Sequence, residues 1–175
     1  KKNSAKLILP ERGDPRVSLA KRQLRELGYE LLEPEDFRSR ESQYRQILEQ
    51  ERFFNKMTDE AKNEYMKDTL NFSMMMVSYG DADGLVAGAI TSTSDVLRAA
   101  FRIVGVNPQS KWVSSSFFMI SPSADSAYTF ADCAVTPEPT SDQLASIAGE
   151  SAASHRLLTG EKPRVAFLSF STKGS

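Results

Sequence analysis

The chain has 175 residues, of which 40% are hydrophobic and 26% charged, a globular composition long enough to bury a core and unlike that of a disordered chain. Its 22 Lys and Arg stand against 23 Asp and Glu for a net charge of -1. Whole-chain electrostatics therefore give no footprint for nucleic acid or an anionic membrane, and any bound anion has to be held by a local site.

The single cysteine, Cys133, excludes an intramolecular disulfide, and with only one histidine it cannot complete an ordinary structural zinc site. The apolar runs Leu85 to Ile90 and Phe117 to Ile120 fall far short of the roughly 20 residues that cross a bilayer. The stretch from Lys1 to Pro10 is too briefly apolar for a secretory segment. These features lead to the expectation of a soluble protein in a reducing cytoplasm.

In chain order, Leu7-Ile8-Leu9 closed by Pro10 predicts a short buried strand, and Asp14-Pro15 an N-cap with proline at the first helical position. The helix that follows is expected to reach about Leu27, with Gly28 as its stop. Tyr29 to Leu32 predicts a second strand before Pro34. Tyr44, Ile47, Leu48 and Phe54, set at helical spacing among charges, predict one long amphipathic helix over Asp36 to Phe54. Thr58 before Asp59 and Glu60 predicts a capped helix to Met66, and Leu70 to Tyr79 a buried helix ended by Gly80. Met74, Met75 and Met76 read as core filling.

Gly84 to Ile90 is apolar and bounded by glycine, so a buried strand is expected there, then the polar turn Thr91-Ser92-Thr93-Ser94-Asp95 and a helix to Val104. Trp112 to Ile120 and Tyr128 to Val135 predict two more strands. Thr140 and Gln143 form a capping-box pattern for a helix to about Leu158, and Arg164 to Phe170 predicts a last buried strand. Alternating strands and helices imply an α/β protein, a three-layer α/β/α sandwich with a mainly parallel sheet. The polar stretch Asn107 to Ser110 divides a first α/β domain, residues 1–108, from the start of a second, residues 109–175.

Several standard motifs fail. Lys173 follows no glycine-rich phosphate loop, and Asp81-Ala82-Asp83-Gly84 lacks the first ligand of a calcium loop. His155 lies on the stripe of Leu144, Ser151 and Leu158 and reads as a packed or partly exposed helix residue, and Cys133 as a buried, inert thiol. Two hydroxyl-rich turns remain. Ser92, Thr93 and Ser94, followed by Arg98, combine hydroxyls, backbone N–H groups and a guanidinium in the manner of an anion site. The alternative is an N-cap with a surface arginine. Ser171, Thr172 and Lys173, after the last strand, form a second and weaker cradle of the same kind.

The run from Ser78 to Ala89, then Ser92-Thr93-Ser94-Asp95-Val96-Leu97-Arg98, resembles the phosphate acetyl/butyryltransferase family. Ser114 to Met119, Phe130 to Val135 with Pro137 and Pro139, and Leu168 to Ser175 continue the likeness in family order, and Pro10-Glu11 with Asp14-x-Arg16 is similar to its opening motif. The likeness is nearest to the phosphate acetyltransferase branch. It implies two α/β domains with an active site in the cleft between them, a homodimer, and exchange of an acetyl group between coenzyme A and phosphate, with coenzyme A as substrate and no separate cofactor or metal.

The family's aspartate base, with serine and arginine beside it, belongs to a C-terminal motif absent from this sequence. Two family arginines that contact coenzyme A or phosphate carry over, one to Arg98 and the other, by its spacing to Met57-Thr58, to Arg52, whose surroundings Glu51-Arg52-Phe53-Phe54 depart from the family's basic pattern. Thr91 stands where many members have histidine. The alternatives are a noncatalytic, ligand-sensing relative, a phosphate butyryltransferase, or a plain interaction domain. Ser92 to Asp95 with Arg98 argue against the first, and the paired hydroxyl turns against the last. The first helix also joins two family segments at Ala20-Lys21, so residues omitted there are expected to leave the two Cα atoms well beyond the roughly 3.8 Å of a trans peptide.

Overall fold

The computed structural model describes residues 5–108 and 112–168. Its contacts divide the chain into two units, Lys1–Gly105 and Val106–Ser175.

The first unit is built on a parallel sheet of three strands in the order β2-β1-β3. Strand β1 (Lys6–Ile8) pairs Leu7 with Leu31 of β2 (Glu30–Leu31) and Ile8 with Leu85 of β3 (Gly84–Leu85). Parallel neighbours need crossovers, which helices supply here. Helix α1 (Pro15–Glu26) connects β1 to β2; the Asp14 carboxylate accepts from Arg16 N–H at its start, as the Asp14-Pro15 signal requires. The helix continues without interruption through Ala20 and Lys21. The wide separation expected at that junction is absent, and the sheet carries no further strand between α1 and β2.

Between β2 and β3 run a 3-10 helix (Pro34–Arg40), α2 (Glu41–Leu48), α3 (Arg52–Asn55), α4 (Asp59–Lys67) and α5 (Thr69–Tyr79). The single long helix expected over Asp36 to Phe54 is thus three pieces. In one continuous helix Phe54, six residues after Leu48, would point about 120° away from it. The break at Glu49 to Glu51 turns Phe54 inward, so that Leu48 and Phe54 are both fully buried. The methionine run behaves as expected: Met74, Met75 and Met76 on α5 pack with Phe72, Tyr44, Ile8 and Met66 in the central cluster. Gly80 ends α5 at φ 90°, a left-handed conformation that glycine adopts without a Cβ penalty.

The strand expected over Gly84 to Ile90 stops at Leu85. Val86 N–H still reaches the Ile8 carbonyl, but the chain then leaves the ladder, and Val86 and Ile90 are exposed. Gly88, at φ 108°, turns it into a loop that leads to helix α6 (Thr93–Ala99), which continues as a wider helical turn over Ala100–Val104.

In the second unit, β4 (Ser116–Ile120) and β5 (Ala127–Ala131) form an antiparallel hairpin with Phe117 opposite Phe130 and Met119 opposite Tyr128. Helix α7 (Ser141–Thr159) opens with the full capping box of Thr140 and Gln143 and packs on β5. His155 projects from α7 to the Thr129 hydroxyl, 3.1 Å from its Nδ1, beside the Phe118 ring, which is the packing role expected of it. Cys133 is half-buried, its thiol donating to the Phe130 carbonyl. The strand expected over Arg164 to Phe170 does not form within the described residues. Residues 164–168 take no regular structure, and Val165, Phe167 and Leu168 are exposed. Among the described residues no helix is long and apolar enough to cross a membrane.

Candidate functional site

A cavity of about 500 Å³ in the first unit collects residues from four places in the sequence. Pro10, Glu11 and Arg12 come from the segment after β1, and Tyr65, Asp68, Thr69, Leu70 and Asn71 from the end of α4 and the start of α5. Ile90 and Thr91 come from the loop after β3, and Asp95, Arg98, Ala99 and Arg102 from α6 and the turn that extends it.

The hydroxyl turn is more occupied than the sequence suggests. Ser92 is the N-cap of α6. Its oxygen accepts from Asp95 N–H at 3.2 Å, its hydroxyl donates to the Asp95 carboxylate at 2.6 Å, and Ser94 lies 3.1 Å away. Arg98 donates to the other Asp95 oxygen at 2.6 Å. The Ser92 hydroxyl, then Arg98, hold the Asp95 carboxyl below the usual carboxylate range. Ser92, Thr93 and Ser94 are exposed and do not line the cavity, whereas Arg98 and Asp95 do. Locally, then, the capping arrangement forms, while Thr91, Asp95 and Arg98 face the cavity.

Arg52 opens α3 on the surface and is not part of the lining. The basic partners that the fold brings to Arg98 are instead Arg12 and Arg102. Arg12 pairs with Glu35 and lies 3.9 Å from Glu33. Arg102 has no ion-pair partner among the described residues; its guanidinium lies 5.4 Å from the centre of the Phe53 ring. A spacing signal existed for Arg102, which follows Arg98 by one helical turn, but the sequence does not show that the two share a wall. Ser171, Thr172 and Lys173 lie outside the described residues.

The acidic groups of the cavity are mostly engaged. Asp68 caps α5, accepting from Asn71 N–H at 2.8 Å, and so places that helix's N-terminal end at the wall. Glu11 is buried at 7% exposure and accepts from the backbone N–H groups of Gly88, Ala89, Ile90 and Thr91 at 2.7 to 3.0 Å. Burial by itself would raise its pKa; the N–H groups of Thr91, Ile90 and Ala89 outweigh that and hold it at about 2. Tyr65 packs tilted against Phe53 and edge-on against Phe54, and its buried hydroxyl has no hydrogen-bond partner among the described residues. Burial raises its pKa, with Arg102 opposing and Asp68 adding to the shift. The wall thus offers guanidinium groups and a helix N-terminus, while its carboxylates are tied to N–H groups or to Arg98. That is an environment for an anion.

The sequence model described as "Phosphate acetyl/butaryl transferase" matches residues 1–175. The chain belongs to this family. It is 51% identical to a phosphate acetyltransferase of Thermoanaerobacterium thermosaccharolyticum over 123 residues, covering 68% of this chain and 38% of that protein. A phosphate acetyltransferase of Staphylococcus aureus is 36% identical over 98% of the chain and 59% of its own length. Among solved structures, the EutD phosphotransacetylase from Staphylococcus aureus superposes with a TM-score of 0.75 at 34% identity, covering 98% of this chain and 58% of that one. A phosphotransacetylase from Streptococcus pyogenes gives 0.78 at 30% identity, with 99% and 60% covered. The chain therefore spans about three-fifths or less of these relatives. The S. aureus match runs over 198 positions against 175 residues here, so at least 23 positions of the relative have no counterpart in this chain.

Proposed function

We propose that the protein is a phosphate acetyltransferase, that it exchanges an acetyl group between coenzyme A and phosphate, and that this chain supplies an anion-binding wall of its site. The observation that carries the reading is the grouping of Arg98 and Arg102 with the N-terminal end of α5 around one cavity, in a chain of this family. A phosphoryl group carries negative charge on several oxygens, and guanidinium groups and backbone N–H groups complement it in charge and geometry.

In the acetyl phosphate direction the sulfur of the coenzyme A thiolate attacks the acetyl carbonyl. The new C–S bond gives the thioester, and the C–O bond to phosphate breaks as phosphate departs. The thiol must first lose its proton. The base for that step belongs to a family motif that this sequence does not contain. Arg98 and Arg102 hold phosphoryl oxygens and offset their charge; Arg52 stays in the proposal by its family spacing, and Ser92, Thr93, Ser94, Ser171, Thr172 and Lys173 as members of the two hydroxyl-rich turns. Coenzyme A enters as a substrate, and the reading calls on no separate cofactor. It also places the protein in the cytoplasm as a homodimer, supported by the lone cysteine and the family resemblance.

A thioester-absorbance assay on full-length protein with acetyl phosphate and coenzyme A tests the reading. Thioester formation is expected. No thioester with acetyl, propionyl or butyryl phosphate would overturn it in favour of a ligand-sensing relative.

A further inference from the structure

We propose that Glu11 is a positioning residue of the cavity: its carboxylate gathers the backbone N–H groups of Gly88, Ala89, Ile90 and Thr91 and so sets the loop that carries Ile90 and Thr91 into the wall and leads into α6. This rests on the reading that the cavity takes the phosphate-bearing substrate.

The need for such a residue follows from where the sheet ends. β3 leaves the ladder after Val86, so the next N–H groups have no strand partner, and buried or half-buried donors must be satisfied. Gly88, at φ 108°, lets consecutive N–H groups converge, and the convergence makes a concave anion seat. Glu11 fills it from the segment after β1. Oε1 accepts from Gly88 and Ile90 at 3.0 Å and from Thr91 at 2.7 Å, and Oε2 from Ala89 at 2.8 Å. The carbonyl side of the same loop is held as well: Arg16 Nη2 donates to the Ala89 carbonyl at 2.7 Å while pairing with Asp14 at the cap of α1. The loop is therefore gripped through its N–H groups by Glu11 and through a C=O by Arg16.

The sheet does not depend on this grip. β1 and β3 are already joined through Leu7 with Gly84 and Ile8 with Leu85. What Glu11 fixes lies beyond the ladder, in residues that line the cavity and precede Arg98 on α6. Glutamine at this position has the same shape but one acceptor oxygen. Placed at Oε1 it keeps three of the four bonds, and its amide N–H groups then face the Ala89 N–H, donor against donor.

The test compares wild-type, Glu11→Gln and Arg16→Ala in full-length protein, by hydrogen exchange of the 88–91 amides and by separate KM and kcat measurements. For Glu11→Gln we expect faster exchange at 88–91 with the β1 and α5 amides unchanged. The KM of the phosphate-bearing substrates should rise about tenfold or more, with a smaller change in kcat. Glu11→Asp, which keeps the charge but is one methylene shorter, should fall between the two. Faster exchange with unchanged KM would overturn the proposal and leave Glu11 a purely structural residue. If Glu11→Gln does not fold, Arg16→Ala decides. It removes the hold on the Ala89 carbonyl together with the pair to Asp14, and an unaltered KM there would also overturn the proposal. Absence of thioester formation by wild-type would instead overturn the function reading, a distinguishable result, because the exchange pattern is read without turnover.

Discussion

Replacing Arg98 with alanine separates binding from folding. The side chain is 55% exposed and its one ion pair among the described residues, to Asp95 at 2.6 Å, joins it to a carboxylate that is 54% exposed. An exposed i,i+3 pair of this kind is worth about 0.5 kcal/mol or less, and alanine is at least as good a helix former as arginine. A destabilisation of that size shifts the melting temperature of a chain this long by roughly 2 °C at most. A charged hydrogen bond to a substrate phosphoryl group is worth about 1.5 to 3 kcal/mol, or roughly 10- to 150-fold in kcat/KM. Arg98→Ala should therefore lower kcat/KM for thioester formation by that factor in full-length protein while melting almost normally. Arg98→Lys, which keeps the charge but not the planar fork, should recover part of the loss. Wild-type kinetics in Arg98→Ala would remove the residue from the site, and a melting loss of 10 °C or more would show that its role is in the fold.

Tyr44 is fully buried and its hydroxyl donates to Asp81 at 2.5 Å, beside the Arg40 ion pair to the same carboxylate. Tyr44→Phe keeps the ring contacts with Phe72 and Tyr79 and should cost about 1 to 2 kcal/mol in urea unfolding; an unchanged midpoint would refute this. Because folding lowers the Glu11 pKa from 4.5 to about 2, the carboxylate's contribution, roughly 3 kcal/mol, is complete above about pH 4.5 and fades as pH falls toward 2. The stability difference between wild-type and Glu11→Gln should shrink across that window, and a pH-independent difference would refute the assignment. In the 175-residue chain the only buried apolar side chain among the described residues of the second unit is Ile147. Hydrogen exchange over β4 and β5 should accordingly be at least tenfold faster than over α5, and equal protection would contradict that estimate.

Much of the first unit was legible because its signals are local. Asp14-Pro15, Thr58-Asp59-Glu60 and the αL glycine Gly80 each mark a helix end through chemistry contained within a few residues, and the structure places helix ends there. The Thr140-Gln143 capping box did the same in the second unit. What the sequence hid was set by tertiary geometry. The break after Leu48 has no glycine or proline to announce it and exists because Phe54 gains burial by turning inward. β3 was overextended because an apolar run with glycines reads as a strand, whereas a distant carboxylate, Glu11, captures its N–H groups. At the cavity, the Arg98 motif was visible by spacing. Arg102 follows it by one helical turn, whereas Arg12 and Tyr65 come from segments that only the fold brings together.

The two readings of the Ser92-to-Arg98 turn, helix cap or anion site, are compatible once magnitudes are compared. Ser92 is committed to α6: it accepts from Asp95 N–H and donates to the Asp95 carboxylate, and that bond steadies the helix start. Among the described residues Arg98 is committed only to an exposed carboxylate, an interaction of a few tenths of a kcal/mol. A phosphoryl group arriving in the cavity carries up to two charges and several acceptor oxygens against the single charge of Asp95, so it competes for the guanidinium at small cost. Until then the pair with Asp95 limits the rotamer entropy that binding has to remove. Arg102, one turn further on, has no carboxylate partner among the described residues and lies against the Phe53 ring, so it needs no such exchange. An anion that bridges the two arginines therefore loses one weak ion pair and gains two charged contacts, while the cap that holds α6 stays intact.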